Sequence, residues 1–134
     1  MTLSPQEKKD LSAIRMNKAR EFLEDARANH EGKRFRTSVN RSYYSALNAV
    51  RALLILDGVN PESHDGIITM VSLRFIKTKL IPLSVIKDFK VLLSRRTDVD
   101  YGDFDTIGPE DAEDSINKAE NILSEISGTL IKFE

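Results

Sequence analysis

The segment Arg95-Arg96-Thr97-Asp98-Val99-Asp100-Tyr101 sets two guanidiniums beside two carboxylates and a phenol, where an apolar run gives way to an acidic one. A guanidinium cannot lose its proton and presents a planar fork of donors. It is therefore suited to clamp a phosphate, or to stabilise charge developing on one. Asp100 could take up a proton or hold Arg96 in place, and Tyr101 could position or protonate a reacting group. The residues upstream single out Arg96. Val85, Phe89 and Leu92 recur at spacings of four and three, and Arg96 follows Leu92 by four, so it continues the inward face of one helix. A charge on that face is costly to bury without a partner, and Asp98, Asp100 and the Tyr101 hydroxyl are the nearest in sequence. Arg96, Asp100 and Tyr101 thus form a charged cluster at the end of a core helix, the place to look for function. The competing reading is structural: a knot of the same three residues that holds a loop against the helix end.

A second constellation lies earlier. Asn40, Tyr44 and Asn48 recur every four residues as a polar stripe beside an apolar one, bordered by Arg41 and Arg51. These groups either satisfy their neighbours or, with Asn40, Arg41 and Tyr44 facing Arg96, line a groove for phosphate or base. His64 reads as a capping or packing residue. The turn Lys33-Arg34-Phe35-Arg36 adds cations around one stacking ring. Ser63-His64-Asp65 are consecutive, which fits a helix cap better than a catalytic triad. There are only two histidines, no Glu-x-x-His spacing and no glycine-rich phosphate loop, so neither a metal nor a cofactor is expected.

Five helices must position these groups. Ser4-Pro5-Gln6-Glu7 is a capping box with proline at the first helical position, and the helix it opens runs to about Gly32. Its predicted inward side is Leu11, Ile14, Ala19, Phe22, Leu23 and Ala26. The second helix follows the basic turn, carries Val39, Tyr43, Ala46, Val50, Leu53 and Leu54 inward, and ends at Asp57-Gly58. A third starts near Ser63, with Ile67, Ile68, Val71, Phe75 and Ile76 apolar. Pro82 separates it from a fourth, predicted over Leu83 to Thr97, beyond which an acidic loop is expected. Gly108-Pro109 opens a fifth, with Ile116, Ala119, Leu123, Ile126 and Leu130 inward. No segment alternates with a period of two over strand length, so the chain reads as an all-α, up-and-down bundle of four or five helices. Residues 1–134 form a single domain. The run Leu53-Leu54-Ile55-Leu56 exceeds one seam, which predicts a homodimer unless that helix is central and fully enclosed.

A chain of 134 residues can bury a core without staples. It has no cysteine, which removes thiol chemistry, and no apolar run approaching the ~20 residues of a membrane span. With no signal-peptide pattern at its start, a cytoplasmic protein without membrane partners is the expectation. The net charge of −1 conceals a strong separation of sign. Residues 1–56 hold 11 Lys/Arg against 6 Asp/Glu, residues 57–97 hold 7 against 4, and residues 98–134 hold 2 against 11. Eight acids and no base fall within residues 98–114. That separation predicts electrostatic pairing, within the fold or between copies.

The order of an amphipathic helix, Asn40-Arg41-Ser42-Tyr43-Tyr44-Ser45-Ala46, Ser63-His64-Asp65-Gly66 and Arg96-x-x-x-Asp100-Tyr101 resembles the HEPN domain family, over roughly residues 10–128. It is most similar to the small stand-alone prokaryotic members encoded beside a minimal nucleotidyltransferase. The resemblance implies a dimeric helical bundle with two polar sites near its seam, in a toxin–antitoxin-like module. Many members cut RNA without a metal, using an arginine followed after four to six residues by a histidine. Arg96 matches the arginine, with Arg95 as the alternative match, while Asp100 and Tyr101 stand where the histidine would fall. The resemblance makes Arg96, Asp100 and Tyr101 the candidate catalytic group, and through it alone Arg95 and His64 become candidate nucleotide- or RNA-binding residues. A tyrosine is a poor base near neutral pH. The implied activity is therefore RNA binding or metal-independent cleavage. The alternative is a non-catalytic domain that binds a nucleotide, or that regulates or is modified by the nucleotidyltransferase, with Tyr101 as the acceptor.

Overall fold

The computed structural model describes residues 2–102 and 106–133; Asp103 and Asp105, two of the eight acids in the acidic stretch, lie outside them. Its helices are α1 (Pro5–Glu31), α2 (Phe35–Leu56), α3 (His64–Val71), α4 (Leu83–Tyr101) and α5 (Pro109–Ile131). A π-helical turn, Ser72–Ile76, extends α3. No strand occurs among the described residues, and no helix is long and apolar enough to cross a membrane.

The α1–α2 pair is built from small residues at heptad spacing. Ser12, Ala19 and Ala26 on α1 meet Ala52, Ser45 and Ser38 on α2. At each level one serine hydroxyl donates to the opposite backbone carbonyl: Ser12 to Ala52 O at 2.7 Å, Ser45 to Ala19 O at 2.6 Å, and Ser38 to Ala26 O at 2.7 Å. Small side chains allow the close approach, and the carbonyls satisfy the buried hydroxyls. These contacts run antiparallel. Arg36 on Val99 and Tyr44 on Arg96 set α4 antiparallel to α2. Arg95 on Asp114 and Thr129 on Leu80 set α5 antiparallel to the α4 arm. The bundle is therefore up-down-up-down, with α3 and the π turn inserted between α2 and α4.

This register rotates the predicted face of α1. Met16, Leu23 and the small residues point inward, whereas Ile14 is 52% exposed and Leu11 and Phe22 are half-buried. Ala19, Leu23 and Ala26 are buried as expected, and the face turns from Leu11, Ile14 and Phe22 toward Ser12 and Met16 because the seam is completed by a small polar residue. The α2 face is as expected, and Leu53, Leu54 and Ile55 are all buried within the one chain. That run is thus accounted for by a central helix packed against α1, α3, α4 and α5, and it supplies no argument for a dimer. Helix α4 continues one turn past the predicted end, so Asp98, Asp100 and Tyr101 are helical. Gly102 is the first helix breaker after Pro82, and its N–H closes the helix on Asp98 O at 2.8 Å. The expected sign pairing is partly realised inside the fold, by Arg27 with Glu120 and Arg95 with Asp114.

Candidate functional site

Phe89 and Leu92 are fully buried on α4. One turn on, Arg96 brings the same face to the rim of the bundle, where its side chain is 19% exposed. Two consecutive residues of α2 receive it. Neighbours on a helix point about 100° apart, so Tyr43 can be fully buried against Phe89, ring centroids 5.8 Å apart, while Tyr44 lies at the α1 seam, 6.1 Å from Phe22. The Arg96 guanidinium carbon stands 5.6 Å from the Tyr43 ring centre and 5.8 Å from that of Tyr44. Both rings thus give it cation–π stabilisation at a partly desolvated site. Its Nη2 donates to the Tyr44 hydroxyl at 3.2 Å. Its Nε lies 2.8 Å from Asp100 Oδ2, one helical turn away, but the N–H is not aimed at a partner. The contact is an ion pair rather than an aligned hydrogen bond. Burial pulls the Arg96 pKa down, and the Tyr44 hydrogen bond with the nearby Tyr44, Asp100 and Tyr101 charges outweighs it, so the net shift is upward. The guanidinium is a permanent cation.

His64 enters from a different element. Ser63 caps α3 by accepting from Gly66 N at 2.9 Å, which leaves the first helical residue, His64, turned onto α2. Its Nδ1 lies 2.7 Å from the Tyr43 hydroxyl. Burial, tempered by the charge of Arg96, pushes the Tyr43 phenol up to about 12. The phenol therefore keeps its proton, and with no other acceptor for it among the described residues, the arrangement that satisfies that proton has it donated to Nδ1. In neutral His64 the ring hydrogen then resides on Nε2, an assignment that follows from the network.

The remaining predicted residues divide. Tyr101, the last residue of α4, is 75% exposed. The expected three-residue knot is realised only between Arg96 and Asp100. The Arg41 guanidinium stacks over Phe22 at 5.5 Å, on the same α2 stripe as Tyr44. Asn40 is half-buried one turn before Tyr44. Arg95 is not brought to the cluster: it donates to Asp114 at 2.7 Å and to Ser115 at 3.1 Å, tying α4 to α5. Sequence reasoning placed Tyr43 in the core and missed that it links His64 to Arg96. The signal was there in the adjacent Tyr43-Tyr44 pair, which one helix must point in two directions. The basic turn does reach the end of α4, where Arg36 Nη2 donates to Val99 O at 2.6 Å. A cavity of about 320 Å³ lies elsewhere, between α1 and α5 beside Met16, Arg20 and Leu130, and contains no member of the Arg96 cluster. Among the described residues no group of three or more His, Asp or Glu side chains is placed to hold a metal ion.

A fold of this topology with a polar cluster at the end of α4 defines a class, and sequence comparison agrees with it. The family model described as the HEPN domain matches residues 12–129. A UPF0332 protein of Thermotoga maritima is 31% identical over 120 residues, covering 90% of this chain and 91% of the relative. The Methanocaldococcus jannaschii protein named "Putative toxin MJ0142" is 28% identical over 124 residues, covering 92% and 84%. The crystal structure of ST0689, an archaeal HEPN homologue, superposes with a TM-score of 0.72 at 22% identity, covering 87% of this chain and 95% of that one. The chain belongs to the HEPN family.

Proposed function

We propose that this chain is the toxin-like component of a two-component module with a nucleotidyltransferase, and that it binds and cleaves RNA at the Arg96 cluster. The observation that carries this reading is a guanidinium fixed by two aromatic faces, a hydroxyl and a carboxylate at the rim of the bundle. So held, Arg96 needs little rearrangement to meet a phosphate, which is what electrostatic stabilisation of a transition state requires. Asp100 stands beside it with one oxygen outside the ion pair. It takes the proton from a ribose 2′-hydroxyl as O2′ bonds to phosphorus. The P–O5′ bond breaks, and solvent protonates the departing oxygen, leaving a 2′,3′-cyclic phosphate and a 5′-hydroxyl. Two relatives carrying the names "Putative toxin MJ0142" and "Putative toxin MJ0605" support the toxin-like part of this reading. The active unit in this reading is a homodimer, with one such cluster from each copy near the seam. Incubation of purified protein with RNA, with the product ends identified, tests the reading. Arg96→Ala is expected to slow cleavage by about 10²–10³ and Asp100→Asn by at least about 10². Cleavage by Arg96→Ala at the parental rate rules the reading out.

The exposure of Tyr101 favours a second, non-catalytic reading. Its phenol, 75% exposed at a helix end, is reachable by a partner's active site. There its oxygen attacks the α-phosphorus of a nucleoside triphosphate, a phosphodiester bond forms and pyrophosphate leaves. Mass spectrometry after co-expression with a nucleotidyltransferase partner separates the two readings: Tyr101 carrying no added nucleotide mass counts against this one.

A further inference from the structure

Three of the six half-buried arginines, Arg27, Arg95 and Arg96, have acids, as does the exposed Arg74. Arg27 meets Glu24 and Glu120, Arg74 meets Asp57, Arg95 meets Asp114 and Arg96 meets Asp100. Arg15, Arg41 and Arg51 are different. Each is half-buried, and no described carboxylate makes an ion pair with any of them. Arg41, Tyr44, Asn48 and Arg51 follow one another on α2 at spacings of three, four and three, so they share one face. Arg15 crosses from α1 onto that face, its Nη1 donating to Arg51 O at 3.4 Å. The Arg51 Nε is buried and has no hydrogen-bond partner. Arg15 is held below the usual guanidinium range by burial and by the charge of Arg51. Neither can escape by losing a proton. Two adjacent cations, partly desolvated and without an acid, are stabilised by whatever anion binds them.

We infer that the Arg15–Arg51 pair is a second phosphate site, which holds the backbone of a single-stranded nucleic acid whose neighbouring phosphate lies at Arg96. The inference rests on the RNA reading above and extends it along α2. Phosphate is favoured because a guanidinium meets it with two parallel hydrogen bonds. A single strand is favoured because rings and cations alternate on this face. Arg41 stacks over Phe22, and Phe22 packs beside Tyr44. Tyr44 carries Arg96, and Arg51 follows about two helical turns on, a rise of roughly 10 Å. Cations that track a backbone, with aromatic surfaces between them for bases, are the components of a sequence-tolerant single-strand groove.

The test is fluorescence anisotropy of a labelled oligouridylate across a series of salt concentrations, on the parent, Arg15→Gln/Arg51→Gln and Arg96→Gln. The double variant should bind about tenfold more weakly at low salt. Its log–log salt dependence should flatten by about 0.7 for each phosphate it no longer neutralises. It should melt no lower than the parent, since it removes a pair of like charges; a structural role for the pair predicts a lower melting temperature. An unchanged affinity and slope overturn the site, as does a parent that does not bind the oligonucleotide. If the double variant instead turns a dimer into a monomer in sedimentation velocity with its salt slope unchanged, the face belongs to a second copy and the inference fails. Binding that depends on the pair without any cleavage leaves this site standing and refutes the cleavage reading. Arg96-dependent cleavage with unaltered binding in the double variant does the reverse.

Discussion

Replacing Tyr43 by Phe removes one buried hydroxyl while leaving the ring that fills the core beside Phe89, so its effects can be worked out from the structure. The hydroxyl donates to His64 Nδ1 at 2.7 Å, and a net hydrogen bond of this kind is worth about 1 kcal/mol. At pH 8 the variant should lose that amount, or roughly 3–5 °C in melting temperature for a domain near this size. A second contribution has the opposite sign. The phenol titrates near 10.0 in the unfolded chain and at about 12 in the fold. Below pH 10 both states hold the proton, and the group adds no pH dependence. As pH rises from 10 to 12, unfolding releases a proton that the folded state retains. Parental stability therefore falls, by about 2–3 kcal/mol over the window. Tyr43→Phe lacks that loss. The two stability curves, measured by urea denaturation followed by circular dichroism, should converge above pH 10 and cross near about pH 11. A gap of constant size from pH 8 to pH 12 would refute the claim that Tyr43 is a protonated, desolvated donor.

Substitutions at three other positions probe the framework. Arg95→Ala removes the tie to Asp114 and Ser115 at a partly exposed pair; thermal melts should show a loss of about 1 kcal/mol, while RNA binding remains at the parental level. A Cβ at Gly102 would stand 2.5 Å from the Asp98 carbonyl oxygen. Gly102→Ala should therefore unwind the last turn of α4, seen as lost amide-exchange protection at Asp100 and Tyr101 and weaker RNA binding with the core intact. Ser45→Leu places a large side chain where α1 and α2 touch and should cost more than ~2 kcal/mol, whereas Ser45→Ala should cost about 1 kcal/mol in the same denaturation assay. The His64 tautomer is directly readable from ring nitrogen chemical shifts. Neutral His64 should carry its hydrogen on Nε2 in the parent and become a mixture in Tyr43→Phe.

The helices were legible because each carries its own boundary chemistry. Ser4 and Glu7 cap α1 reciprocally, Ser63 caps α3, and Gly108-Pro109 opens α5. On α1, Ala19, Leu23 and Ala26 were legible, whereas Ser12 was not, because its hydroxyl satisfies the Ala52 carbonyl on another helix, which no local pattern reveals. The end of α4 was misread for a similar reason: acids after Thr97 look like a loop until Asp100 is seen to pair with Arg96 one turn back. Arg96 itself was legible, since an arginine in register with Phe89 and Leu92 has to be explained. What surrounds it was legible only in part, because Tyr43 and His64 are brought there by α2 and α3, and a periodicity describes one helix at a time.

That assembly bears on the histidine missing from the end of α4. His64 reaches the same cluster from another element, and it is tempting to read it as a substitute base. The Tyr43 proton argues otherwise. While the phenol donates to Nδ1, Nε2 carries the hydrogen, and a neutral imidazole so arranged can donate from Nε2 but has no free nitrogen to take a proton from a hydroxyl. The proton-accepting role in the proposed cleavage then falls to Asp100, beside the cation whose charge the reaction needs. On this argument Tyr43 bears on the cluster although its side chain is fully buried, because its hydroxyl determines which nitrogen of His64 carries the hydrogen.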